Sequence, residues 1–416
     1  MSFTRGTIRS LSNKIMSRSY TSTAKPSPKA YVSLMFLTLL WNRGLRSAIL
    51  YSEHVGSFLR PQAVLDARKA NQEGKLSDAE LRKVEDTNIA ELVKTQIANG
   101  IKSISGEYRR EYFHFDFLKK LGGVDLRAEE LKYHDGQNKP TQLTLHVDGK
   151  VHHAHDIEVE NFKFLQKQVE GQPEGIRVKM TIPSPTMCHF RGGRKAISET
   201  VYPELDAFFE DLAQAYRDEI AALAKAGCRY LQLDDTNLAY LCDENARKAA
   251  AERGEDLDTL PRRYAQVINA ALRDKPEDMT VAIHLCRGNF KSTSFAEGGY
   301  EPIAEVLFNE LNVDTYLLEF DTSRAGNFEP LRFLPKGHKQ VVLGIISTKV
   351  PELEDKQAMI ARIREAAKYA PLEQLAVSPQ CGFSSTHHGN LITPETQWAK
   401  LRLVEEIAQE VWGKST

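Results

Sequence analysis

The chain has 416 residues, of which 55 are Lys or Arg and 56 are Asp or Glu, for a formal net charge of -1, and 41% of it is apolar. That balance, with no concentrated basic stripe in the body, gives no electrostatic footprint for nucleic acid, so small molecules are the expected partners. Length alone favours two or three domains, a prior that repeated βα architecture overrides.

The first 52 residues carry eight Lys or Arg, many Ser and Thr, and no acid before Glu53. This composition fits an organellar transit peptide or, equally, a leader with no structure of its own. The apolar stretch 31–41 is too short to span a bilayer, so no membrane association is expected. Localisation stays open between cytoplasm and mitochondrion. Secretion is not expected, because the five cysteines (Cys188, Cys228, Cys242, Cys286 and Cys381) are odd in number and scattered, which suits free thiols in a reducing compartment.

From residue 49 onward, short apolar runs alternate with helical patterns, the signature of βαβ units around a parallel sheet. Eight candidate strands follow in order: ILYSEHVGSF, GIKSIS, VKMTIPSP, YLQLDD, TVAIHLC, DTYLLEF, QVVLGIIS and QLAVSPQ. Between them, the pattern after Ser77 predicts a long helix opened by a Ser77–Glu80 capping box, and a second long helix is expected to stop at Gly227. Eight strands with helices between them predict a single TIM (β/α)8 barrel over 53–416. Residues 124–170 read as an insertion, with a β-hairpin turning at Asp148-Gly149.

His284 and Cys286 (VAIHLC), Glu319 (YLLEF) and Cys381 (SPQC) each stand at the end of one of these strands. Side chains alternate faces along a strand, so the i, i+2 spacing of His284 and Cys286 points both the same way. In a barrel all four fall on the C-terminal face, where such folds place their chemistry. Two thiolates and an imidazole suit zinc better than a hard cation, and four thiolates for an iron-sulfur cluster are missing; copper stays open on ligands alone. A dianionic sulfur pair plus a carboxylate weakens the Lewis acidity that hydrolysis needs. It suits a metal holding a substrate thiolate that attacks an alkyl group. Glu319 is the ligand expected to yield to an incoming thiol, although it has a rival reading as the ion-pair partner of Arg324.

At these residues the chain resembles the cobalamin-independent methionine synthase family, in particular its short single-barrel relatives. HVGSFLRP, SGEYRREYFHFDF, YLQLDDTNLAYL and PQCGFSS carry the resemblance, which runs from about Glu53 to the C-terminus. It implies methyl transfer from a methylated, polyglutamylated tetrahydrofolate to the zinc-bound thiol of homocysteine, giving methionine. Carried over by position, His284, Cys286, Glu319 and Cys381 would bind Zn2+, while Ser57, Glu107 and Asp234 would hold the amino-acid end of homocysteine. The chemistry agrees, since an ammonium needs carboxylate acceptors and a carboxylate needs donors such as the Ser57 hydroxyl. Asp234 and Asp235 have a rival reading as helix caps, and Glu107 as a solvated acid.

The resemblance implies two barrels in the long enzymes and a His-bearing loop after the seventh strand. This chain has one barrel, and Lys349 in that loop. His54, beside the Gly56-Ser57 turn, is the candidate acid for protonating a leaving atom. Two other functions remain open: alkylation of a different thiol, of the coenzyme M epoxide-opening type, for which Arg109 or Lys349 would have to face the metal, and a non-catalytic zinc or metabolite binder. His152, His153 and His155 read as surface residues, His387 and His388 as a loop pair able to close over the site, and Cys188, Cys228 and Cys242 as core fillers.

Overall fold

Short apolar runs flanked by helix caps should give parallel strands joined by helices, and the computed structural model, which describes residues 51–129 and 142–413, has that order. Its strands are β1 (Ser103–Ile104), β2 (Gly122–Glu129), β3 (Gln142–His152), β4 (Arg177–Val178), β5 (Met180–Pro183), β6 (Tyr230–Asp235), β7 (Thr280–Leu285), β8 (Thr315–Glu319), β9 (Gln340–Ile346) and β10 (Leu375–Pro379). β5 to β10 form one parallel sheet in sequential order. β1 pairs in parallel with β4, and the Lys179 N–H extends that contact by donating to the Ile104 carbonyl at 2.8 Å. At the opposite edge Ser52 bridges Val377 of β10 in parallel. Seven of the eight expected runs hold a strand, while the first, ILYSEHVGSF, contributes only the Ser52 bridge among its described residues, and the architecture is a barrel-like parallel α/β fold. The leader read over 1–52 lies outside the described residues up to position 50.

The helices begin and end where side chains satisfy their free backbone groups. Ser77 and Glu80 form the expected capping box on helix Asp78–Ala98, with Glu80 N–H donating to Ser77 Oγ at 3.3 Å and Ser77 N–H to Glu80 Oε2 at 2.9 Å. Helix Leu205–Ala226 stops at Gly227, whose φ of 106° is the left-handed conformation that glycine adopts without penalty. Its buried stripe of Phe208, Leu212, Tyr216, Ile220 and Leu223 packs into the large core between sheet and helices.

A second, smaller apolar cluster positions the site. Val55, Tyr230, Ala282, Leu317, Val342 and Ala376 form a layer of their own on the opposite face of the strands. Alternation then puts Gln232 and Asp234, His284, and Glu319 on the same face as Tyr230, Ala282 and Leu317, one or two pleats nearer the C-terminal strand ends.

The expected turn at Asp148-Gly149 is not a turn. β3 runs through it and pairs antiparallel with β2, and the register slips between Gly122↔His152 and Val124↔Val147. Gly123, at φ +80°, accommodates the slip, and a Cβ there would lie 2.5 Å from the Lys150 carbonyl oxygen. An Asp-Gly pair supplies the same local flexibility to a bulge as to a hairpin, and here the partner strand decides between them. Among the described residues, no helix is long and apolar enough to cross a membrane.

Candidate metal centre

β7 and β8 are register neighbours, with His284 opposite Leu317, and the loops after β7 and β10 bring two sulfurs to the same point. The ligand atoms of His284, Cys286, Glu319 and Cys381 all lie within 4.8 Å of one another, and all four residues are buried. The Cys286 and Cys381 sulfurs are 3.5 Å apart. His284 Nδ1 faces the Leu317 carbonyl at 3.1 Å, which fixes the ring and leaves Nε2 buried without a hydrogen-bond partner. An orphaned imidazole nitrogen beside two sulfurs and a carboxylate is the donor set of a metal site with its outer partner in place.

The electrostatics agree. Burial alone would lower the His284 pKa, but the adjacent Cys381 sulfur, with the charges of Asp234 and Glu319, raises it to about 9. Excess negative charge of this kind is what a bound dication neutralises. Glu319 is fully enclosed: Oε1 accepts from the Arg287 N–H at 2.7 Å and Oε2 from the Arg324 guanidinium at 2.8 Å. The Arg324 ion pair and the ligand role therefore coexist, since a carboxylate offers about four lone-pair sites.

The chain folds three further residues around this set. Gly382 packs so tightly on Ser57 that a Cβ there would sit 2.4 Å from Ser57 Oγ, and the Phe383 N–H donates to the Ser57 carbonyl at 2.8 Å. Gly56 lies equally close to Glu107, where a Cβ would be 2.8 Å from Oε1. Asp234 is the register partner of His284. Burial first, and then the charge of Glu107, push the Asp234 carboxyl up to about 7. Two acids thus repel each other beside the four candidate ligands. The helix-cap reading belongs to Asp235 instead, whose Oδ1 accepts from the Leu238 N–H at 2.8 Å.

His54 stands apart from these acids. It is buried, its Nε2 is 2.7 Å from the Ser103 carbonyl, and burial together with the nearby Lys179 ammonium lowers its pKa to about 3. Arg109 is engaged by Glu85 at 3.3 Å and Asp86 at 2.5 Å on helix Asp78–Ala98. Lys349 lies beside the cluster, its Nζ donating to the Gly288 carbonyl at 3.1 Å and to Asn289 Oδ1 at 3.2 Å. His387 Nδ1 lies 3.6 Å from Glu111, and the His388 ring packs on Phe290, so the loop after β10 reaches both the loop after β1 and the loop after β7. His153 is not a simple surface residue, because its Nε2 contacts the buried Glu219 at 2.7 Å. Cys188, Cys228 and Cys242 are buried, and burial pushes each thiol up to about 12.

Three supporting residues escaped the sequence reading. Thr181 Oγ1 donates to Glu107 at 2.7 Å and accepts from Arg110 at 2.8 Å, and Gln232 Nε2 donates to Asp234 at 2.7 Å. Gln232 was within reach, since it stands two residues before Asp234 on one strand face. Thr181 and Arg110 meet only through the tertiary fold.

Residues 50–409 match the family model described as the cobalamin-independent synthase, catalytic domain. The Bacillus subtilis protein YxjH, itself uncharacterized, is 42% identical over 370 residues, covering 88% of this chain and 96% of that protein. A solved Listeria monocytogenes structure, described as a candidate vitamin-B12 independent methionine synthase, superposes with a TM-score of 0.71 at 38% identity and covers 89% of this chain and all (100%) of that one. A B12-independent methionine synthase from Shewanella sp. W3-18-1, at 20% identity and a TM-score of 0.66 over 88% of this chain, shares the fold.

Proposed function

The chain belongs to the cobalamin-independent synthase catalytic-domain family, and on that premise we propose that it moves a methyl group from a polyglutamylated 5-methyltetrahydrofolate to the thiol of homocysteine, forming methionine. The observation that carries this reading is the buried convergence of His284, Cys286, Glu319 and Cys381, with His284 Nε2 unpartnered. We assign the ion as zinc, because two soft thiolates with an imidazole match its preferences. Bound zinc would lower the pKa of the substrate thiol while the electron-rich ligand set leaves the sulfur nucleophilic.

The chain's own residues then handle the substrate. Asp234 and Glu107 accept hydrogen bonds from the homocysteine ammonium, whose charge relieves their mutual repulsion. Gln232 and Thr181 hold those two carboxylates in place. Ser57, pressed against Gly382 beside Cys381, donates to the substrate carboxylate. In the transfer the C–N bond to the folate breaks, the S–C bond forms, and a proton goes to the departing nitrogen. We do not carry His54 forward as the source of that proton, because burial and the Lys179 charge lower its pKa to about 3; its ring holds the segment 52–58 against β1 instead. With Ser103 bonded to both Glu53 and His54, we also read the barrel as closed at this seam.

Alkylation of a sulfonate-bearing thiol is the second reading, favoured by the Lys349 ammonium beside the sulfurs. Its other cation, Arg109, is committed to Glu85 and Asp86. Competition separates the two: homocysteine turnover unaffected by excess coenzyme M supports the first, and turnover of coenzyme M with an epoxide but none of homocysteine supports the second.

A further inference from the structure

Four protein ligands fill a tetrahedral site, so an incoming thiol must displace one of them. A carboxylate that leaves a dication inside a protein becomes a buried, unpaired charge, which is costly unless a partner is already waiting. Glu319 is fully buried, and both of its oxygens already accept hydrogen bonds, Oε2 from the Arg324 guanidinium at 2.8 Å and Oε1 from the Arg287 N–H at 2.7 Å. Arg324 is itself fixed by Asp321 Oδ1 at 2.9 Å, and Asp321 in turn accepts from Ser347 Oγ at 3.3 Å. Among the described residues no cation is hydrogen-bonded to the other three ligands: His284 Nδ1 faces a backbone carbonyl, the sulfurs face each other, and the nearby Lys349 ammonium donates to Gly288 and Asn289 instead.

We infer that Arg324 is a positioning residue for ligand exchange, a preformed dock that receives the Glu319 carboxylate when the substrate thiol enters. The inference rests on the thiol-binding reading given above. With a metal held by the four residues, the substrate thiolate would take the place of the Glu319 carboxylate, the thiol proton would pass to solvent, and Glu319 would keep its pair with Arg324. Arg324 thus decides which of the four ligands is labile. Without it, Glu319 holds the metal more tightly and the thiol enters less readily.

The test uses the full chain loaded with cobalt(II) and titrated with homocysteine, following the cobalt absorption bands with no alkyl donor present. Metal affinity is measured separately by competition with a chelator. Arg324→Gln should bind cobalt at least as tightly as wild type and homocysteine roughly tenfold or more weakly, the scale of one charge-assisted hydrogen bond. Arg324→Lys, which restores the charge without the fork, should fall between them. Equal homocysteine affinity in Arg324→Gln and wild type overturns the dock while leaving the thiol site intact. Parallel loss of cobalt in both variants also overturns it, since Arg324 would then only support the ligand. A wild-type chain that binds cobalt but gives no response to homocysteine contradicts the thiol-site reading itself, and the dock with it.

Discussion

Asp234 and Glu107 carry the claim that the substrate is an amino acid. A hydrogen bond between charged groups contributes about 1.5–3 kcal/mol, so Asp234→Asn should raise KM for homocysteine roughly 10- to 100-fold with little change in bound metal. Initial rates against homocysteine, paired with metal analysis, check this, and an unchanged KM removes the ammonium corner. The cluster of four candidate ligands was legible because strand periodicity converts i, i+2 into one face and because all four stand at strand ends. Glu107 and Ser57 were legible only through motif resemblance, since nothing local distinguishes them from a solvated acid and a Gly-Ser turn. Thr181 and Arg110 were not legible as supports, because their partners lie on distant segments that meet only in the folded chain, whereas the Arg324 pair with Glu319, five residues away, was legible. His54 shows what sequence leaves out: a histidine near a site suggests acid chemistry, while its protonation depends on burial, which sequence does not report.

The helix ends are where local sequence and structure agree most closely. Ser77 accepts from Glu80 N–H in a reciprocal capping box, so Ser77→Ala should cost about 1 kcal/mol. Gly227 at φ 106° leaves little room for a side chain, and a Cβ there would lie 3.1 Å from Gln166 Nε2. Gly227→Ala should therefore destabilise by about 1 kcal/mol or more. Urea midpoints of the two variants measure both costs, and wild-type midpoints would mean that neither end limits stability. The ribbon was harder to read. Residues 142–159 were expected to fold back on themselves at Asp148-Gly149, but that pair lies inside β3 at a register slip against β2, and only the identity of the facing strand distinguishes a turn from a bulge.

The whole molecule buries histidines that remain neutral, and this sets its response to acid. Burial, then the charges of Arg253, Arg263 and Arg194, lower the His189 pKa from 6.5 to about 4. The unfolded chain therefore takes up a proton below about pH 6.5 that the native state refuses, and stability falls by about 1.4 kcal/mol per pH unit until pH 4. Asp234, raised to about 7, acts in the opposite sense, because the native state binds its proton first. A difference measurement isolates His189: between pH 6.5 and 5, His189→Gln should lose about 2 kcal/mol less stability than wild type by urea unfolding. Equal losses would mean that His189 protonates in the native state.

The barrel-like order of strands was readable from alternating runs and caps because each βα unit is local, and this order brings residues from 54 to 381 to one end of the sheet. The reaction assigned to that end is tested most directly by the chain without residues 1–50, metal-analysed, incubated with homocysteine and 5-methyltetrahydrofolate carrying one or three glutamates, with methionine quantified by mass spectrometry and Cys381→Ser as control. The proposed function predicts about one zinc per chain and methionine from wild type, with both lost in the Cys381→Ser control. Zinc without methionine from either folate would contradict the methyl transfer, and a chain that binds no zinc would contradict the metal centre on which it depends.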